Sequence, residues 1–404
     1  VPCISAQRLS PRHRCRLGEH LCRAPLHPLP AAYLKDIIHL YLWTQEGSLA
    51  ENPEAVVLDT VKEQDHRQSG GALRPFPDGQ DIETILTLAT RAPSIDNTQP
   101  WRWRVDRTSL HLYTDPGMQL PNTDPDGRDL ILSCGAALHH CVVALAAMGW
   151  RADVHRLPDP ADPDHLAAIE VSPHSSDRAE IVLAEAIPRR RTDRRTYSAR
   201  PVAATEIAAM AAVAARMGVT LRVVDARESL HDIVKRAALS HATDRDYLVE
   251  LATWSGRYGS RAGVPARNIP EHDCGAPIPG RIFAGPGLAQ PPGTSPAEDN
   301  AVILVLGSEA DDRLAQLRAG EATSALLLTA TAMGLASCPI TEPLEIPDTR
   351  DAVRDDVWGA QGYPQMLLRV GWAADSAAAL PPTPRRALSD VVQWSDAQAT
   401  CTAP

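Results

Sequence analysis

The sequence predicts an α+β fold assembled from two tandem copies of one unit, and three observations carry that expectation. First, Cys134-Gly-x-Ala137 followed by Ala147-Met-Gly149 returns as Ala319-Gly-x-Ala322 followed by Ala332-Met-Gly334, at a constant offset of 185 residues. Second, each copy is an Ala-rich stretch of similar length closed by Met-Gly, as expected of a helix ending on a left-handed glycine cap. Third, strand patterns flank both helices: residues 103–105, 111–113 and 167–171 in the first copy, and 219–224, 301–306 and 366–370 in the second. Self-similarity at one spacing across helix and strand together is the mark of a duplicated supersecondary unit.

Taken in order, residues 1–77 carry Pro, Arg, His and Cys in no sustained period, apart from one helical stretch at residues 33–43. They are expected to be an extension, disordered or not native to the protein, outside the folded units. The apolar run at 31–43 is broken by Lys35, Asp36 and His39 and is too short to span a bilayer. No secretory pattern is visible, which gives a cytoplasmic expectation. Asp81 is the expected N-cap of a helix through Ile82, Ile85, Leu86 and Leu88 to Ala89, ending before Pro93. The strands at 103–105 and 111–113 read as a hairpin. Asp124-Pro-Asp-Gly127 then leads into a helix over 128–148, with Gly149 as its cap. That turn resembles the start of a calcium loop, but the acidic residue that should close it is missing, so a turn and helix start is the reading adopted.

Cys134 and Cys141 fall on an apolar helical pattern and are expected in the core. The eight cysteines show no C-x-x-C spacing, hence no disulfide framework and no zinc site is expected. The adjacent His139 and His140 project from different helix faces, so packing or surface roles are expected rather than shared metal ligation. Residues 264–298 hold eight prolines with interspersed glycines, which suits a long irregular loop, either a lid or a disordered insert. The boundaries follow: a first unit over 78–187, a second over 188–395, and a tail over 396–404.

With only 4% aromatic residues the core must be chiefly aliphatic, and a net charge of −10 argues against a general partnership with nucleic acid or anionic lipid. Against that acidic background, six arginines crowd residues 189–200. They fit a solvated helix start or an anion site, since planar guanidinium forks and a Thr hydroxyl match phosphate oxygens. The cluster alone does not choose. Ser94, Asn97 and Gln99 lie on a proline-stiffened loop between a helix and a strand, which reads as a hydrogen-bonded turn or as a set of ligand-facing polar groups. No dinucleotide fingerprint, Walker loop, H-E-x-x-H pair or G-x-S-x-G elbow is present.

Pro93-Ser-x-x-Asn-x-Gln-Pro-Trp101 resembles the P-S-x-x-N-x-Q-P-W motif of flavin-dependent nitroreductases. Arg190-Arg-Thr-x-Arg194 is similar to their R-R-S-x-R phosphate motif, with Thr for Ser. Pro384-Arg-Arg-Ala-Leu388 resembles the basic segment that returns to that phosphate, and Gly334-Leu-x-x-x-Pro-Ile340 the strand that passes the flavin ring. Together these span about residues 80–395. More narrowly, the pattern resembles the actinobacterial Acg-like branch, in which two units are fused. The resemblance implies a nitroreductase-like fold, an intrachain pseudo-dimer with mixed sheets flanked by helices. It also implies one FMN per chain, because the first half has no R-R-S-like segment before Arg91 and the second no P-S-x-x-N loop after Tyr197. Carried over residue by residue, Arg190, Arg191, Thr192, Arg194, Arg385 and Arg386 would hold the phosphate. Ser94, Asn97 and Gln99 would face the ring or ribityl chain, and Pro339, Ile340 and Thr341 would lie beside the ring's reactive nitrogen edge. One departure stands out: relatives often carry an acidic residue followed by Gly where this chain has Thr341 and Glu342, and a larger residue there narrows the space above the flavin.

The implied function is electron transfer from NAD(P)H through FMN to a nitroaromatic or quinone-like acceptor, with the cofactor performing the redox step and no side-chain acid or base named. An alternative is an FMN-binding or storage protein, with residues 264–298 as a cover and little turnover. Nucleic-acid binding by residues 189–200 is disfavoured by the acidic background and the lack of interleaved aromatics. A monomer is expected to suffice as a pseudo-dimer, with a further homodimer left open; the expected partner is a small-molecule acceptor, with neither nucleic acid nor membrane.

Overall fold

A computed structural model of the chain describes residues 76–257, 259–272, 275–359 and 361–395. Residues 1–75, including the helix expected at 33–43, and the tail from 396 lie outside the described residues.

Helix α1 (Gly79–Ala89) buries Ile82, Ile85, Leu86, Leu88 and Ala89 on one stripe. Its N-cap is Asp78 and not Asp81: Asp78 has the extended backbone a cap requires, and its carboxylate accepts the Asp81 N–H at 2.9 Å. Asp81 therefore sits in the first turn. Strands β1 (Trp101–Val105) and β2 (Ser109–Thr114) form the expected antiparallel hairpin. The Asp124 carboxylate accepts the backbone N–H groups of Asp129 and Leu130 and so opens helix α2 (Arg128–Ala147), while Gly149 takes φ 83° beyond its end. Strand β3 (Trp150–Arg156) was not expected; strand β4 (His165–Pro173) contains the expected 167–171. Helices α3 (Arg178–Ala186) and α4 (Ala204–Arg216) then lead to strand β5 (Thr220–Val223).

A long excursion follows, comprising α5 (Arg227–Thr243), α6 (Arg245–Trp254), the short parallel pair β6 (Ser255–Arg257) and β7 (Val264–Pro265), and the Pro/Gly-rich segment. The chain re-enters the core as β8 (Val302–Ser308), α7 (Arg313–Ala332), β9 (Ala336–Ile340), α8 (Glu342–Glu345), α9 (Pro347–Ala352) and β10 (Tyr363–Gly371). It closes with α10 (Leu388–Val391) and β11 (Val392–Trp394).

The two main sheets share one plan. The first runs β11-β1-β2-β4-β3 and the second β5-β8-β10-β9, so β1, β2, β4 and β3 occupy the places of β5, β8, β10 and β9. The first sheet is mixed, since β11 crosses from the second half and pairs in parallel with β1 (Trp103 opposite Val392). Helices α2 and α7 cross between the sheets. A Cβ on Gly135 would lie 2.2 Å from the Leu317 carbonyl oxygen, and one on Gly320 would lie 2.1 Å from that of Leu132. Leu132 and Leu317, like Gly135 and Gly320, are equivalent positions of the repeat, so the contact is reciprocal, as in an isologous twofold interface. His139 Nδ1 meets Ser324 Oγ at 2.9 Å, joining a further equivalent pair. This crossing is why both copies keep glycine at that position.

Helix α2 has a mean hydropathy of 1.9, high enough for a membrane span, but 83% of that window is buried against α7 and the sheets, which makes it a core helix. Cys134 and Cys141 pack there fully buried, as expected, and His139 and His140 are buried too.

Candidate functional site at the seam of the two units

Backbone pairing orients the arginine-rich segment. Thr192 bridges to Ser337 at the edge of β9, and Asp193 N–H donates to the Ser337 carbonyl at 2.9 Å, so residues 192–196 run extended beside that strand. Side chains of an extended segment alternate between two faces. Thr192, Arg194 and Thr196 accordingly face a cavity of about 180 Å³. Arg195, on the other face, is held by the Asp193 carboxylate (2.8 and 2.9 Å) and by the Ala378 carbonyl. At roughly 10–15 Å³ per water centre, the cavity is on the order of a dozen waters in size.

Both halves of the chain build this cavity. Ser94 and Asp96 from the loop after α1, and Leu132 and Ser133 on α2, face Pro339, Ile340 and Thr341 at the end of β9, while Arg281 and Phe283 from the Pro/Gly-rich segment supply one wall. Of the residues singled out in the sequence, Ser94, Thr192, Arg194, Pro339, Ile340 and Thr341 meet here.

The others do not line the cavity, and most of them make hydrogen bonds to protein groups. Asp96, Asn97 and Gln99 adopt φ values of 41°, 56° and 56°, which turns the two amides away from the cavity. Asn97 Nδ2 donates to the Gly263 and Pro384 carbonyls; Gln99 Nε2 donates to the Arg261 carbonyl (2.8 Å), and Gln99 Oε1 accepts Arg386 N–H (2.7 Å). Arg385 spends its guanidinium on the carbonyls of Thr90, Arg91 and Ala92 at the end of α1 and on Asn97 Oδ1. Such orphan carbonyls at a helix C-terminus take a cation well. Arg386 pairs with Asp115 at 3.0 Å, and Arg191 donates to the carbonyls of Pro188 and Arg190. These residues knot the loop, the insertion and the C-terminal segment together. Arg385 and Arg386 thus act on protein acceptors, where a phosphate contact was expected.

Arg190 differs. It is buried behind the cavity wall without lining it, its backbone N–H donates to the Ala186 carbonyl at 2.9 Å, and its Nε and Nη1 have no hydrogen-bond partner among the described residues. Burial, then Arg191 and Arg91 beside it, lower its pKa to about 9. Burial and Arg190 likewise hold Arg385 well below its usual range. A buried cation with uncommitted donors is costly until an anion satisfies it.

Residues the sequence reading passed over complete the opposite end. Arg281 Nη1 lies 3.5 Å from Asp96, and its Nη2 donates to Thr341 Oγ1 (3.2 Å) and to the Glu345 carboxylate. Burial raises Asp96, and raises Glu345 to about 8 despite the Arg281 guanidinium beside it. Glu342 also lines the cavity, and His241 on α5 sits behind it, with Nδ1 3.4 Å from Glu342 and Nε2 4.0 Å from Glu345, stacked on Tyr247 at 3.8 Å. No local motif announces this cluster: His241 and Glu342 are 101 residues apart.

A family model described as the nitroreductase family matches residues 288–372. The Mycobacterium tuberculosis (H37Rv) protein named "Putative NAD(P)H nitroreductase Rv3131" is 67% identical over 321 residues, covering 80% of this chain and 93% of that protein. The chain belongs to the nitroreductase family. A second relative, "Putative NAD(P)H nitroreductase acg" of the same strain, is 34% identical over 317 residues, covering 77% of this chain and 94% of that protein. This family member is also similar to the FMN-dependent nitroreductase NfnB from Mycobacterium smegmatis, whose structure is in complex with NADPH. That likeness is 19% identical, covers 54% of this chain and 100% of that one, and has a TM-score of 0.34, an overlay too loose to equate residues.

Proposed function

We propose that this nitroreductase-family chain is an FMN-dependent oxidoreductase that takes electrons from NAD(P)H and passes them to a nitroaromatic or quinone-like acceptor. The observation that carries the reading is a cavity built by both halves with Thr192 and Arg194 on its wall, together with the Arg190 guanidinium, two nitrogens uncommitted, buried beside that segment. That donor set fits a phosphate monoester. With the phosphate at Arg190, Thr192 and Arg194, the apolar edge at Pro339 and Ile340 with Thr341 would flank the flavin ring, and Ser94 would reach it from the other unit. When bound, FMN supplies the hydride and electron transfer; the chain fixes its position, excludes water and sets which acceptor can approach. The two units are 78–187 and 188–395, and they share one such site because only the second carries the Arg190–Arg194 segment. The names of the relatives point to the same activity.

Purified protein should be yellow, and anaerobic NADPH or NADH should bleach it, with colour returning on addition of a quinone or nitroaromatic. A colourless protein that FMN cannot reconstitute would sink the reading.

A second reading, flavin storage with little turnover, is favoured by how firmly the cover is attached. Glu250 on α6 accepts the N–H and side-chain donors of Asn122 and Thr123 at 2.6–3.2 Å, and Asn268 and Arg267 donate to the Pro381 and Pro382 carbonyls. Bleaching slower than minutes at saturating NADPH and NADH would select it.

A further inference from the structure

The acid cluster opposite the arginine strand has chemistry that the proposed electron transfer requires and that the flavin alone does not provide. Reducing a quinone to a hydroquinone takes a hydride and a proton. The cavity is lined by both units and the insertion, and a donor on its wall would deliver that proton directly to the bound acceptor. Three elements converge there. Glu342 starts α8, immediately after the β9 edge, with its side chain 7% exposed, on the cavity wall. His241, 8% exposed on α5, stands between Glu342 and Glu345, its two ring nitrogens 3.4 and 4.0 Å from the two carboxylates. Tyr247 on α6 stacks against the ring and fixes its plane. The other charged groups facing the cluster are Arg281, which holds Glu345 and Asp96, Asp96 itself, and Asp129 on α2. Arg281 thereby ties up Glu345, and leaves Glu342 as the cavity-facing carboxylate with a titratable partner behind it.

Resting on the function proposed above, we propose that Glu342, recharged through His241, is the proton donor to the acceptor. When bound, the reduced cofactor would supply a hydride, and with it both electrons, to one quinone oxygen, so that the quinone would be reduced at the cofactor's expense. The charge left on the second oxygen takes the proton from the Glu342 carboxyl group. The resulting carboxylate would be reprotonated through His241, and reduced nicotinamide would restore the cofactor. Glu342 is thus a proton-carrying side chain backed by His241 of the insertion, and acceptors that need protons on reduction are favoured.

The test compares two oxidants of dithionite-reduced, FMN-loaded protein by stopped flow: a benzoquinone, which needs a proton, and ferricyanide, which takes electrons alone. For Glu342→Gln the ratio of quinone to ferricyanide rate should fall about 100-fold or more, the scale of a lost general acid. His241→Gln should lower the same ratio less and shift its pH profile. Wild type should show a normal solvent deuterium isotope effect with the quinone and none with ferricyanide. Unchanged ratios in both variants, or equal isotope effects for the two oxidants, would overturn the assignment. The isotope comparison needs no variant and stands if either substitution prevents folding. Because dithionite replaces the nicotinamide, failure of NAD(P)H to bleach the flavin would count against the proposed donor and leave this measurement decisive.

Discussion

The two units are laid out alike and connected differently. In the first, β1 turns directly into β2 around Asp106; in the second, residues 224–301 intervene between the equivalent strands β5 and β8. That insertion carries α5, α6 and the wall formed by Arg281 and Phe283, and it reaches back to the first unit through Glu250, Arg261 and Gly263. The C-terminal segment also crosses, adding β11 to the first sheet. A duplicated scaffold has therefore become a chain whose cavity draws on both halves: the first unit contributes a loop and the α2 face, and the second contributes the cation strand and the cover. Symmetry resides in the helix crossing, and chemistry resides where the symmetry is broken.

The crossing is where the comparison breaks most severely. Gly135→Ala and Gly320→Ala each place a methyl group within about 2 Å of a backbone carbonyl that a rigid helix cannot withdraw, and each should cost about 3 kcal/mol or more. Reciprocity requires the two losses to be similar. Thermal unfolding of both variants checks this, and an unshifted midpoint for either one would show that the pseudo-twofold contact is not as close as described.

Next in size is a contrast between two arginines that sequence motifs treat alike. Arg190→Met removes a buried cation whose donors are uncommitted, so FMN affinity should fall by a factor of about 100 while the flavin-free protein becomes no less stable. Arg385→Met strips donors from the carbonyls of Thr90, Arg91 and Ala92, and should destabilise the flavin-free protein by about 2–3 kcal/mol. Flavin titration alongside denaturant unfolding separates the two; equal destabilisation by both would erase the distinction between site and scaffold.

How far the sequence could foresee this depends on range. The repeat was visible because helix caps and small residues recur in register, and β5, β8 and β10 were visible because they are short apolar runs with flanking punctuation. Strand β3 was not, since Arg151, Asp153 and His155 point outward and leave only Trp150, Ala152 and Val154 as a weak alternation. Thr192 and Arg194 were legible as a local motif on an extended segment. The roles of Asn97, Gln99 and Arg385 were not, because hydrogen bonds to carbonyls more than 160 residues away decide them. Helices α5 and α6 have no counterpart in the first unit, so the repeat offered no template for them or for His241.

A smaller effect tests how the insertion is fastened. Glu250→Ala leaves the donors of Asn122 and Thr123 without their acceptor, and should loosen the insertion by about 1–3 kcal/mol locally while leaving the helix crossing intact. Limited proteolysis should then cut within 264–298 faster than in wild type, with a global unfolding midpoint shifted by only a few degrees. A protease-resistant Glu250→Ala chain would mean that Arg281 and Asn268 suffice to hold the cover.

The smallest effect concerns pH, and its sign follows from burial. Asp124 is raised to about 7 and Glu345 to about 8, in each case chiefly by burial. A carboxyl group whose folded pKa lies above its unfolded value favours the native state at low pH, and that contribution is lost as pH rises through the folded pKa. Flavin-free protein should therefore lose stability between about pH 5 and pH 9, by a few kcal/mol at most given the ion pair that Arg281 offers Glu345. Glu345→Gln mimics the protonated group and should reduce the slope across the whole range up to about pH 8, including the part above pH 7, while Asp124→Asn should reduce it only up to about pH 7. The two carboxyl groups belong to different units, but Asp129 raises both, so any departure from additivity measures their coupling through Asp129. A double variant whose pH slope equals that of either single variant would mean that the seam couples them, and the acid cluster would then extend across both units.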